Sequence, residues 1–174
     1  MHPQQIERDG PRPAPAPAPA PASLRPDDYL QTLALIERLH RLLLDVIKDE
    51  FERLSIIEIN AVQGLMLFNI ADLELTAGEL RTRGCYQGSN VSYNLKKLVE
   101  LGYMHHKRCN ADRRAVRVRL APKGHEIRAR IGDLLARQAA RLSATGPGAP
   151  DLAGTARALQ HLERFWAGQI RYIY

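Results

Sequence analysis

Cysteine is nearly absent from this chain: Cys85 and Cys109 are the only two in 174 residues. Two cannot build the multi-bridge framework of a small secreted scaffold, and a reducing compartment keeps both as thiols. Aromatic residues are sparse at 6%, and no long apolar run occurs, which excludes a helix that spans a bilayer. The opening "MHPQQIERDG" lacks the basic start and apolar middle of a secretory signal, so the expected location is the cytoplasm. There is no Walker loop, dinucleotide fingerprint or nucleophile elbow, and no acid and base pair set apart from helix-surface charges; neither an enzyme nor a cofactor is expected. Proline is scarce beyond residue 26, because eight of the eleven fall before Asp27. The Pro-Ala alternation from Pro13 to Ala22 leaves little to bury, so residues 1–26 read as a disordered or polyproline II tail.

What the chain does have is basic charge in one place. Residues 75–130 hold 13 of the 25 lysines and arginines but only 4 of the 19 acidic residues, so the rest of the chain is mildly acidic although the total is +6. A basic segment of this kind is the electrostatic footprint of a polyanion partner.

Apolar spacing organises the remainder. Leu35, Leu39, Leu42, Leu43, Val46 and Ile47 recur at three- and four-residue intervals and predict a long amphipathic helix from Asp27 to Leu54. A helix over Ile57–Ala71, apolar on most sides, belongs in the middle of the domain. Thr76 and Glu79 have the spacing of a capping box and start a short helix closed by Gly84. The next helix begins near Ser89 and stops at Gly102. Residues 103–109 and 115–120 then read as two strands of a hairpin turned by "NADRR". Pro122 starts a helix to about Leu142. After "TGPGAPD", Leu152, Leu159, Leu162, Trp166, Ile170 and Ile173 mark a last amphipathic helix.

On the helix after Ser89, Val91, Leu95 and Leu98 share the face to be buried, while Ser89, Asn90, Tyr93, Lys96 and Lys97 fall on the other; Asn94 is counted with this polar set. Polar side chains aimed at base edges, with cations flanking them for phosphates, are what major-groove reading requires. A capped short helix followed by such a helix is the helix-turn-helix order, and a basic hairpin after it makes the winged variant. Arg113 and Arg114 at the tip would reach an adjacent minor groove, Arg117 would add to the basic wing, and Asp112 would orient an arginine.

Asp112, Arg114, Leu120 and Gly124 match the D-x-R-x(5)-L-T-x-x-G signature, and on these residues the chain resembles the MarR family of winged-helix regulators over about residues 28–172. "SNVSYNLKKLVELGYMHH" with "DRRAVRVRL" is most similar to the LdtR and PetP branch of that family. The resemblance implies a mainly α fold with a small β-hairpin wing. It also implies a homodimer whose terminal helices (27–54 and 122–174) interlock, a DNA-binding lobe at 57–121, and recognition helices in successive major grooves of a pseudo-palindromic operator. It further implies a small apolar effector, for which Leu43, Met66 and Phe68 are candidate lining residues that core packing would also explain. The family's threonine is Ala121 here, which removes a helix-capping hydroxyl. Independently, Trp166, Tyr172 and Tyr174 at the chain's end would leave an apolar patch exposed in a monomer.

Other signals carry less. His105 and His106, on one strand, point to opposite faces and cannot share an ion without distortion, so no metal is expected. Asn90-Val91-Ser92 is formally a glycosylation acceptor, but a glycan there would block the groove. The alternative to a ligand-modulated DNA-binding regulator is a winged-helix assembly adaptor with an incidental basic face.

Overall fold

The computed structural model describes residues 25–76, 79, 88–108 and 116–171, with the side chains of 88–90, 107, 108, 116, 147 and 171 left aside. The expected tail, most of the short helix after Thr76 and the wing tip lie outside the described residues. Two units divide the described residues, one ending at His40 and the other starting at Arg41.

Helix α1 (Pro26–Arg53) opens with Asp27 and Asp28 and closes with Arg53, so each end carries the charge that its backbone dipole favours. In the first unit its leucines Leu30, Leu35 and Leu39 stand exposed. In the second unit Ile47, Glu50 and Phe51 are buried. The helix stops where Ser55 turns left-handed (φ 56°), which lets the Ile56 N–H reach the Phe51 carbonyl at 2.8 Å.

Helix α2 (Ala61–Ile70) starts four residues later than the expected Ile57. Asn60 caps it: its side chain accepts from the Gln63 N–H at 2.9 Å, while the Gln63 carboxamide oxygen accepts from the Asn60 N–H at 3.1 Å. Ile57 is 91% exposed, part of the approach to the helix rather than its first turn. The expected central position holds, since Gln63, Gly64, Leu65, Met66, Leu67 and Ile70 are all buried. Gly64 allows this, because a Cβ there would strike the Phe51 ring.

The hairpin strands are β2 (Met104–Arg108) and β3 (Val116–Leu120), antiparallel with Met104 opposite Leu120 and His106 opposite Val118. A third strand, β1 (Leu75–Thr76), pairs with the other edge of β3 and gives the order β1-β3-β2. Two residues are too short to show alternation, so sequence periodicity could not have revealed it. The capping box forms as expected. Glu79 N–H donates to the Thr76 hydroxyl at 3.1 Å, and Thr76 N–H donates to the Glu79 carboxylate at 2.6 Å.

Helices α3 (Gly88–Glu100), α4 (Pro122–Ser143) and α5 (Leu152–Arg171) complete the fold, with a 3-10 turn at Gly146–Gly148. Ala121 precedes α4 in extended conformation and makes no side-chain cap. The core lies between α2, α3, α4 and the sheet, around Met66, Leu67, Leu98, Met104 and Ile131. Among the described residues of α5 none is buried.

Glu50 is the one buried ionised side chain among the described residues. Arg53 donates to it twice, at 2.9 and 2.8 Å, and Arg137 of α4 donates once at 2.7 Å, tying the end of α1 to α4. The Arg53 hydrogen bonds, against the opposing effect of burial and with help from Arg137, hold its carboxyl at about 2 rather than the ordinary 4.5. A carboxyl lowered in the folded state stabilises above its unfolded value and loses that contribution as pH falls through the folded one. Thermal unfolding of the native chain should therefore shift downward between pH 4.5 and about 2. Glu50→Gln should be less stable at neutral pH and lack that share of the acid-side fall; parallel curves for the two proteins would refute this role.

Candidate nucleic-acid interface

Helix α3 packs through the expected face. Val91 and Leu98 are fully buried and Leu95 is 6% exposed, whereas Tyr93 on the far side is 67% exposed. Ser92 and Lys96 are exposed and Lys97 is half-buried. Lys96 lies 3.9 Å from Glu100, a surface pair that leaves the ammonium in water. Ser89 and Asn90 lie in the first turn of α3, with their side chains outside the described set.

The helix ends sharply. Gly102 takes φ 76°, its N–H donates to the Val99 carbonyl at 3.0 Å, and the Tyr103 N–H donates to the Leu98 carbonyl at 2.9 Å. This pair of hydrogen bonds is the Schellman stop, whose left-handed turn a residue without Cβ adopts at least cost. Tyr103, 3% exposed, then fixes the corner. Its hydroxyl donates to Glu58 at 2.8 Å, and Lys123 of α4 sits 4.3 Å above its ring while also donating to Glu58 at 2.5 Å. The Lys123 hydrogen bond holds the Glu58 carboxyl below its usual value, and burial pushes the Tyr103 phenol up.

Asn94 corrects the sequence reading. Expected on the polar side, it is only 8% exposed and turns inward, where its side-chain oxygen accepts from the Gln63 carboxamide at 3.2 Å. Asparagine is polar enough to be assigned to solvent from the sequence, but here a buried partner satisfies it. Gln63 is the residue that sequence reasoning missed. The Asn60-x-x-Gln63 spacing was a visible signal for its capping role, but nothing in the sequence announces a partner 31 positions away.

On the sheet, Val118 and Leu120 turn to the core, and Arg117 and Arg119 alternate to the other face. Arg117 is half-buried opposite Thr76 on one side and Lys107 on the other. Arg119 lines a small cleft with Asp72, Glu74 and His125. Asp112, Arg113 and Arg114 lie outside the described residues.

The residues suggested for an effector take part in core packing. Met66 is fully buried, and Leu43 and Phe68 pack against the core. None of the three lines the larger cavities described. One, of about 600 Å³, is polar and lies between α1 and α4 beside Glu50, Arg53, Arg137 and Arg141. The other, of about 320 Å³, is an apolar cleft between α3 and the sheet, walled by Leu95, Val99 and Val118. No group of three or more metal-ligating side chains occurs among the described residues.

A helix that buries three apolar residues and offers its other side to solvent, locked at one end to a basic antiparallel sheet, is the reading element of a winged helix. Residues 59–124, from the cap of α2 into the first turn of α4, match the family of winged helix DNA-binding domains. The exopolysaccharide II synthesis transcriptional activator ExpG of Rhizobium meliloti (strain 1021) is 32% identical over 149 residues, covering 83% of this chain and 74% of ExpG. The fold is also that of Staphylococcus aureus MarR in complex with salicylate and kanamycin, at TM-score 0.63 and 21% identity over 82% of this chain and 92% of that one. It is likewise that of Streptococcus pneumoniae FabT in complex with DNA, at TM-score 0.62 and 18% identity over 82% and 99%. The protein is a DNA-binding transcriptional regulator rather than an enzyme. It belongs to the winged-helix regulator family that includes ExpG, and it has the MarR fold.

Proposed function

We propose that the chain is a sequence-specific regulator that binds a pseudo-palindromic double-stranded operator as a homodimer and is modulated by a small apolar effector. The observation that carries the DNA reading is the sidedness of α3: Val91, Leu95 and Leu98 go inward, and Tyr93 and Lys96 go outward on the opposite side. Ser89, Asn90, Tyr93, Lys96 and Lys97 would meet the major groove, with Arg113, Arg114 and Arg117 on the wing and Asp112 orienting them. The lobe at 57–121 would read DNA, while 27–54 and 122–174 would dimerise.

The exposed apolar residues of α5 support the homodimer. Leu152, Leu159, Trp166 and Ile170 sit at heptad-like spacing and are all between 38% and 58% exposed. α1 adds Leu39 and Leu42. Modulation by an effector draws on the salicylate and kanamycin bound by Staphylococcus aureus MarR. Similarity to the LdtR and PetP branch rests on the α3 and wing sequence. No helix among the described residues is long and apolar enough to cross a membrane, and a DNA partner suits a cytoplasmic protein.

Salt and mutation test the DNA reading together. With six phosphates contacted, log affinity should fall against log salt with a slope of about -5, at roughly -0.9 per contact. Tyr93→Ala should flatten sequence preference, whereas Lys97→Ala should lower binding to all duplexes alike and make the slope shallower by about 1. Equal losses from both would argue against base reading by α3. An adaptor would bind no duplex near physiological salt.

A further inference from the structure

We infer that Gln63 and Asn94 form a positioning pair that sets the rotation of α3, and with it the sequence discrimination of the regulator, without touching DNA. This rests on the reading of DNA by α3.

Gln63 is 4% exposed and Asn94 is 8% exposed. The Gln63 carboxamide cannot turn over, because its oxygen is committed to the Asn60 N–H at 3.1 Å and its nitrogen to the Asn94 oxygen at 3.2 Å. A flipped amide would set a donor against a donor. The side chain is thus oriented by the cap of α2, and it presents a fixed donor to the middle of α3. No buried side-chain polar atom lacks a partner among the described residues.

Before the Gly102–Tyr103 corner, the other contacts described along α3 are of a different kind. Val91, Leu95 and Leu98 bury it by area, an interaction without a preferred direction. A hydrogen bond does have one, and it weakens steeply off axis. Asn94 directly follows Tyr93 and stands two residues before Lys96, so it controls the angle at which both are presented. A turn of about 10° moves a side-chain envelope of about 5–6 Å radius by about 1 Å. Contacts to base edges do not survive such a shift, whereas a lysine reaching a phosphate follows it by changing rotamer. Losing the pair should therefore cost discrimination before it costs affinity.

The experiment compares three full-length proteins: wild type, Asn94→Leu, and the double variant Gln63→Met with Asn94→Leu. The single variant strands the Gln63 donor and loses stability. The double variant replaces both partners with apolar groups of similar size, which removes the stranded donor but also the Gln63 half of the α2 capping box, so its fold is checked by thermal melt before binding is compared. The probes are the duplex that wild type enriches from a randomised library and the unselected library itself. For the double variant, the ratio of the two affinities should drop roughly tenfold to a hundredfold, the range for about one misread base pair, with library binding and salt slope unchanged. A folded double variant with wild-type discrimination would overturn the inference alone. Wild type that enriches no duplex would overturn the reading of α3 and this inference with it.

Discussion

Trp166→Glu combined with Ile170→Glu is expected to convert the regulator to a monomer and to weaken operator binding by roughly 10²–10⁴-fold, the gain that linking two sites supplies. Helix α5 explains the size of the effect. It runs twenty residues with none buried among those described, and most of a helix's stability in a protein comes from packing its amphipathic face. Its stripe must be covered by something, and two carboxylates on each copy would have to be desolvated in any paired form. Each winged lobe should remain folded, because its core draws on none of α5. The variant should therefore retain weak duplex binding with about half the native salt slope. Light scattering and a fluorescence titration check both parts. A variant that stays dimeric, or a wild-type monomer that binds with full affinity, would remove the basis for this assignment.

Gly124→Val should unfold the lobe rather than disturb it locally, with a loss of at least about 3 kcal/mol, the upper end of the overpacking range. A Cβ at Gly124 would run into the Tyr103 carbonyl oxygen, and that oxygen is backbone, pinned by the Ala121 N–H at 3.0 Å. Relief would require moving the start of α4 away from the corner where α3 meets β2. The close approach also gives the last glycine of the D-x-R-x(5)-L-T-x-x-G pattern a physical reason that does not involve DNA. Thermal melts compare it with Gly148→Ala, where the added methyl meets open space and little change is expected. A Gly124→Val protein that melts with the wild type would show that the corner is looser than described.

The readable parts of the sequence were those where one residue's chemistry determines local geometry. Gly102 stopped a helix, Thr76 with Glu79 capped one, and Val91, Leu95 and Leu98 fixed a buried face by spacing alone. What could not be read depended on distant partners. Asn94 was assigned to solvent because nothing local says that Gln63 waits beneath it, and β1 exists only because β3 offers it a free edge. The early start given to α2 is a different kind of miss. Ile57 fits the apolar run, and only the reciprocal bonds of Asn60 and Gln63 show where the backbone turns helical. Leu43, Met66 and Phe68, the residues suggested for an effector, are also what a core is made of, and composition alone does not separate the two roles.

Only Leu101, Gly102 and Tyr103 separate the last turn of α3 from β2, and each of the three has its N–H bonded back to the helix. The joint has no slack. On the proposed reading, what the ribbon touches would lie at a constant number of base pairs from what the helix touches. Inserting one base pair inside a half-site displaces the far contact by about 3.4 Å along the axis. Such DNA would be gripped at one point or the other, but not at both, and spacing would then be part of the code.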